Sequence, residues 1–200
     1  MNRNYTPFSE TVDAYFRKTF GDAWTDRYDE FLKQEPAEYI RVNPLEFTAE
    51  TLIDRLHTGY GIHARPHPVI PDCLIIEDEN ALAGKTIEHI TGGYYIQSLS
   101  SMIPPLVLNP GENDRVLDLC AAPGSKSTQL AALMKNRGTL ICNEIAADRV
   151  KSLAFNLERM NVVNAAVIHG KGELLSKHFF SYFDKILVDV PCSGRGVMQK

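Results

Sequence analysis

The sequence predicts an α/β fold in which a doubly wound, C-terminally incomplete parallel sheet follows a small α+β module. Three observations predict it. From Gly111 onward, short apolar strands alternate strictly with helical stretches, the pattern of a parallel sheet covered on both faces. Before that point the alternation is missing, and Pro36, Pro44, Pro66, Pro68 and Pro71 break the chain into short pieces. With 200 residues, 44% of them apolar, the chain can bury one substantial core and a smaller second one. The division is read as an N-terminal α+β module over residues 1–85 and a ligand-binding α/β domain over residues 86–200.

The elements follow in order. Thr6-Pro7 reads as a helix cap, and Val12, Tyr15, Phe16 and Phe20 then recur at helical spacing. Trp24, Tyr28, Phe31 and Leu32 repeat the pattern up to Pro36, and Trp24 is read as a packed core residue rather than a base-stacking one. A short strand over Tyr39–Val42 precedes a helix capped by Thr48, carried by Leu52, Ile53 and Leu56 and stopped at Gly59. The three prolines at 66, 68 and 71 mark a connector before the strand Cys73–Ile76. In the second half, strands are expected over Arg115–Cys120, Thr139–Glu144, Ala165–His169 and Lys185–Val190, with helices over Ser125–Lys135 and Ala146–Met160. Ligands of such sheets bind at the carboxyl ends of the strands, which is where chemistry is to be sought.

The four cysteines, Cys73, Cys120, Cys142 and Cys192, show no zinc or disulfide spacing, so no metal is expected. Cys73 and Cys142 read as small buried hydrophobes within strands. No apolar run approaches the roughly 18 residues of a membrane span and no signal-like segment opens the chain, so a soluble cytoplasmic protein is expected. The formal charge of −4 argues against strong phosphate binding. It is unevenly spread: residues 1–110 hold 9 basic against 16 acidic side chains, residues 111–200 hold 12 against 9.

The first strand of the second half runs into Asp118-Leu-Cys120-Ala121-Ala122-Pro123-Gly124-Ser125-Lys126-Ser127, a strand, a tight turn of small residues and a helix start. Such a turn lets backbone approach a ligand and presents unpaired amides. A phosphate-binding loop would need Gly, four residues, then Gly-Lys-Ser/Thr, and a dinucleotide fingerprint would need three glycines. The single Gly124 disfavours both. S-adenosylmethionine carries no phosphate and tolerates one glycine. Its ribose calls for an acid, which Glu144 supplies, at the end of the second strand and 20 residues after Gly124.

The fourth strand ends in Asp189-Val-Pro191-Cys192-Ser-Gly194, bringing a carboxylate and a thiol to the same edge. Carbon 5 of a pyrimidine is a poor nucleophile unless a thiolate adds at carbon 6, and that chemistry requires a cysteine. A thiol of pKa about 8.5 needs activation by a neighbouring cation. Lys126 is a candidate for it, and Asp189 could hydrogen-bond the ring edge.

These two motifs resemble the cofactor and active-site signatures of the Nop/Sun (RsmB/RsmF-like) family of RNA cytosine-5 methyltransferases. Tyr94-Tyr-Ile-Gln97-Ser-Leu-Ser-Ser101-Met and Arg41-Val-Asn43 resemble its preceding segments, and the overall layout is similar to its bacterial branch acting on small-subunit ribosomal RNA. The resemblance implies a Rossmann-like S-adenosylmethionine methyltransferase fold. It also implies an RNA substrate, ribosomal rather than transfer RNA, and a cofactor site formed by Cys120 through Lys126, Glu144 and Asp189, with Lys126, Asp189 and Cys192 in catalysis. By the same resemblance Cys192 releases product and the attacking cysteine belongs to a later Thr-Cys motif, which these 200 residues do not contain. Lys171 stands where the family places an aspartate against the adenine amino group. Loss of that hydrogen bond costs about 1.5–3 kcal/mol, unless the loop shifts and Glu173 substitutes. Two further readings are a methyltransferase that uses Cys192 as nucleophile and a cofactor- and RNA-binding module without catalysis.

Overall fold

The computed structural model describes residues 7–34, 37–78 and 81–190, which form two compact units divided near residue 37. The first contains the helices α1 (Glu10–Phe20) and α2 (Asp22–Lys33), joined at Gly21, whose φ of 86° only glycine adopts freely. The first helix begins at Glu10 behind Ser9, whose carbonyl accepts the Asp13 amide, so the start lies later than the expected cap; Thr6 is outside the described residues. The aromatic pattern is helical as expected, but its faces are not sealed into a core. Trp24 is 43% exposed and stacks on Tyr28, with ring centroids 5.0 Å apart. Thr25 and Leu32 are the buried positions of α2. Two short helices alone enclose too little volume to bury six rings, so the rings stack along the surface instead.

The second unit begins with β1 (Glu38–Val42), α3 (Ala49–Tyr60), β2 (Ala64–Pro66), β3 (Cys73–Ile76), α4 (Ile87–Ile90) and β4 (Tyr94–Ile96). The strands form an antiparallel sheet in the order β2-β3-β1-β4, with Ile40 opposite both Leu74 and Ile96. Alternation on β1 sends Ile40 and Val42 into a core with Leu52, Leu56, Leu74 and Tyr94. Thr48 caps α3 as expected, its hydroxyl accepting the Thr51 amide at 3.2 Å. The stop is Gly61 in the left-handed region, two residues beyond Gly59, which lies inside the helix. Both the three-residue β4 and β2 are too short to show a period in sequence.

The chain continues through α5 (Leu99–Leu108), β5 (Arg115–Asp118), α6 (Ser125–Leu133), β6 (Thr139–Glu144), α7 (Ala147–Arg159), β7 (Ala165–His169) and β8 (Lys185–Leu187). These strands form an all-parallel sheet, β7-β6-β5-β8. Val116 and Leu140 from the sheet, Leu130 and Ala131 from α6, and Leu153 and Leu157 from α7 share one core. The β6 and β7 ranges match expectation. The first and last strands are shorter, ending at Asp118 and Leu187, because the chain there leaves the ladder to form loops.

Two buried polar side chains of β1 and the residue after it lock the sheets together. Arg41, 3% exposed, donates from Nη1 to Gln97 Oε1 and to the Ser125 carbonyl, both at 2.6 Å, and from Nη2 to Thr128 Oγ1 at 2.8 Å. Asn43 donates from Nδ2 to the Gly92 carbonyl at 2.9 Å and the Met160 carbonyl at 3.2 Å. A Cβ at Gly92 would sit 1.8 Å from the Arg159 carbonyl oxygen, so only glycine lets this turn meet the end of α7. Replacing Arg41 by methionine leaves the buried Gln97 oxygen unpaired and strips one donor each from the Ser125 carbonyl and the Thr128 hydroxyl, which keep their mutual 3.1 Å bond, at about 1–3 kcal/mol per lost bond. Arg41→Met is therefore expected to lower the urea-unfolding free energy by about 3–5 kcal/mol, with Arg41→Lys intermediate.

Candidate functional site

The site lies at the carboxyl ends of β5, β6 and β8. After Asp118 the chain is laced to both neighbouring strands: the Leu119 amide donates to the Leu187 carbonyl and the Ala121 amide to the Asn143 carbonyl, each at 2.9 Å. The loop turns through a cis Ala122–Pro123 peptide to Gly124, whose φ is 108°. A Cβ there would come within 3.3 Å of Leu153 Cδ1 and Asn156 Cβ, so Gly124 serves both the turn and the approach to α7. Ala121, Ala122 and Gly124 are buried, Cys120 and Ser125 are half-buried, and Pro123 is exposed. The first amides of α6 have no intrahelical partner and carry the positive end of its dipole.

Two carboxylates stand at the strand ends. Asp118 is 1% exposed and accepts from Ser127 Oγ at 2.7 Å. Burial pushes its pKa up to about 6, against the opposing pull of the Ser127 hydrogen bond and Lys126. Glu144, 2% exposed, accepts the Ala146 amide at 3.0 Å on Oε1, while its Oε2 lies 3.4 Å from Arg149 Nη1 without a hydrogen bond. A third carboxylate, Asp189, pairs through Oδ2 with Lys126 Nζ at 2.6 Å. Burial, joined by the charges of Asp118, Glu144 and Asp189, raises the pKa of the Cys120 thiol. Cys73 and Cys142 are buried in β3 and β6 as expected, and burial pushes the Cys142 thiol up to about 12.

The structure thus brings Cys120 through Lys126, Glu144 and Asp189 to one edge of the sheet. Lys171 follows Gly170 at the end of β7, beside β6, where the Gly170 amide donates to the Glu144 carbonyl; its side chain, like that of Glu173, is exposed. Cys192 lies outside the described residues. Sequence reasoning missed the supports of the loop. Asn143 donates to the Leu119 carbonyl at 3.0 Å, Asn156 to the Pro123 carbonyl at 2.9 Å, and Arg149 to the Ala122 carbonyl. The one available signal was that Arg149 and Asn156 flank Leu153 on the inward stripe of α7, where apolar side chains would be expected.

The pKa of Asp118 has a testable consequence. Because its folded value lies above the unfolded value of about 3.9, the folded state holds the proton more tightly, and this contribution to stability is lost as pH rises from about 4 through 6. The two-unit difference corresponds to about 3 kcal/mol. Asp118→Asn keeps an acceptor for Ser127, and its stability relative to the parent, from urea unfolding at several pH values, is expected to improve by that order between pH 4 and pH 7.

Among proteins of known family, a profile described as 16S rRNA methyltransferase RsmB/F matches residues 105–200, and one described as an RsmF/B-like ferredoxin-like domain matches residues 14–83. The chain is 43% identical over 166 residues to the ribosomal RNA small subunit methyltransferase F of Shewanella piezotolerans, covering 80% of this chain and 35% of the relative. The protein of that name from Vibrio atlanticus is 44% identical over 164 residues, again covering 80% and 35%. A crystal structure of a methyltransferase homologue from Pyrococcus horikoshii superposes with a TM-score of 0.85 at 30% identity, covering 96% of this chain and 62% of that one. The chain spans about a third of the length of the curated relatives it matches.

Proposed function

Since the chain belongs to the RsmB/F family of 16S rRNA methyltransferases, we propose that it holds the S-adenosylmethionine site of an enzyme that methylates carbon 5 of cytosine in small-subunit ribosomal RNA. The observation that carries this reading is the pair formed by the single-glycine loop and the buried Glu144, with Oε2 lacking a hydrogen bond, at the ends of adjacent parallel strands. Asp118 Oδ1 and Asn143 Oδ1 are likewise buried without a hydrogen bond. Buried acceptors in want of donors suit a ligand rich in hydroxyl and amino groups. The three carboxylates suit its cationic sulfonium and ammonium, and the absence of a multi-glycine cradle suits a ligand without phosphate.

When bound, S-adenosylmethionine supplies an electrophilic methyl group. The chain's own residues bind and orient. Glu144 accepts from the ribose hydroxyls, and residues Cys120, Ala121, Ala122, Pro123, Gly124 and Ser125 line the methionine part through backbone. Lys171 or Glu173 faces the adenine edge. Lys126 holds Asp189 at the sheet edge, where its second carboxylate oxygen can accept from the exocyclic amino group of cytosine. Cys192 is assigned to product release and the attack on carbon 6 to the family's Thr-Cys cysteine. The N-terminal α+β module, residues 1–85 with β4 added to its sheet, is assigned to holding RNA, and the α/β part of residues 86–200 to the cofactor. Ribosomal RNA in the cytoplasm fits this assignment, as does the lack, among the described residues, of a helix long and apolar enough to cross a membrane.

Calorimetric titration with S-adenosylmethionine is expected to give one-site binding. Glu144→Ala should weaken it about tenfold to a hundredfold, the range for loss of hydrogen bonds to a charged group. Equal affinity in the variant would remove Glu144 from the site. For catalysis, tritium transfer from the labelled cofactor to unmethylated small-subunit RNA is compared with that of Cys192→Ser. Transfer by the chain that is lost in the variant would make Cys192 the nucleophile, whereas no transfer by either protein is the outcome expected of residues that lack the Thr-Cys cysteine.

A further inference from the structure

The guanidinium of Arg149 bridges the two halves of the cofactor site. It lies on the first turn of α7, with Nη2 donating to the Ala122 carbonyl in the loop after β5 and Nη1 3.4 Å from Glu144 Oε2 at the end of β6. Glu144 is buried, and its two oxygens are unequally occupied: Oε1 takes the Ala146 amide, while Oε2 is left with a nearby charge but no hydrogen bond. The guanidinium sets an opposite charge beside the buried carboxylate, whereas the missing hydrogen bond leaves that oxygen's lone pairs available. A direct hydrogen bond from Arg149 would have used them.

Arg149 also fixes a distance. Glu144 and the Ala122 carbonyl belong to different loops, and one rigid, planar guanidinium reaching both sets their separation in a way that a flexible ammonium does not. Asn156, two turns further along the same helix, holds the Pro123 carbonyl at 2.9 Å, so α7 grips the loop at consecutive residues. Only the Arg149 contact reaches Glu144 as well.

We propose that Arg149 is a positioning residue of the cofactor site, which orients the Glu144 carboxylate toward the ribose hydroxyls while holding the loop that lines the methionine part. This rests on the cofactor reading above, and the test is chosen so that the two can fail separately. S-adenosylhomocysteine and its 2′-deoxyribose analogue are titrated calorimetrically against the chain and against Arg149→Ala, Arg149→Gln and Arg149→Lys, with thermal melts recorded for each.

The parent chain is expected to prefer the ribose ligand at least tenfold. In Arg149→Ala and Arg149→Gln, affinity for S-adenosylhomocysteine falls about tenfold and the preference collapses to less than about threefold, with partial recovery in Arg149→Lys. A purely structural role would weaken both ligands alike and leave the preference intact, which would overturn the proposal. If the parent chain binds both ligands equally, Glu144 is not the ribose acid and the proposal falls with that assignment. Should it bind neither, the cofactor reading itself fails. Arg149 is 44% exposed at its side chain, so its truncation is compatible with folding; should one variant melt early, the other two carry the comparison.

Discussion

The buried guanidinium of Arg41 is the constraint around which the second unit is organised. It is a charge in the interior whose two terminal nitrogens donate to neutral acceptors, an amide oxygen on the segment after β4, a backbone carbonyl at the start of α6 and a hydroxyl one turn further, while its Nε is buried without a hydrogen bond. Burial pulls its pKa down to about 9, still leaving it cationic at neutral pH. Each bond lost from a charge so placed is costly, because it leaves the charge less compensated in a medium that solvates it poorly. The antiparallel sheet, the segment after β4 and the first turn of α6 must therefore assemble together. Asn43 makes a neutral version of the same link, reaching the far end of α7.

That assembly reaches the site directly. Ser125, whose carbonyl takes an Arg41 hydrogen bond, immediately follows Gly124 and precedes Lys126, so the turn of small residues is anchored at its helical end by the N-terminal sheet. At its other end the turn is laced to β6 and β8 through backbone. From outside, α7 holds its carbonyls. The loop is thus held by the N-terminal sheet, by both neighbouring strands and by α7, the kind of support that preorganised recognition requires. Of the six buried side-chain polar atoms without a hydrogen bond among the described residues, three, on Asp118, Asn143 and Glu144, belong to residues at these strand ends; the others are on Arg41, Glu88 and Asn164.

Much of the parallel sheet was legible because its interior strands carry short apolar runs, Val116 and Leu117 in β5 and Leu140, Ile141 and Cys142 in β6, and α7 carries an inward stripe through Leu153 and Leu157. Thr139–Glu144 and Ala165–His169 are observed as expected. The misses have local causes. In β4, three residues give no period, and in α5 Pro104 and Pro105 mask a helix that tertiary packing nonetheless supports. The stop of α3 was misplaced between two glycines two residues apart, since composition does not say which one takes the left-handed conformation. The ladder of rings on α1 and α2 looked like core because helical periodicity reports which residues share a face, not whether anything covers that face.

The sequence by itself determined the alternation that makes a parallel sheet, the single-glycine turn, and the acids and lysine at the strand ends, because these depend on residue type and short-range spacing. Tertiary structure alone decided that Lys126 meets Asp189 across 63 positions at 2.6 Å, and that Arg41 reaches Ser125 across 84. It also decided that Arg149 leaves one oxygen of Glu144 open. Such pairings are set by which elements the buried apolar surface brings together and by the need of every buried charge for partners, and neither is encoded in local periodicity.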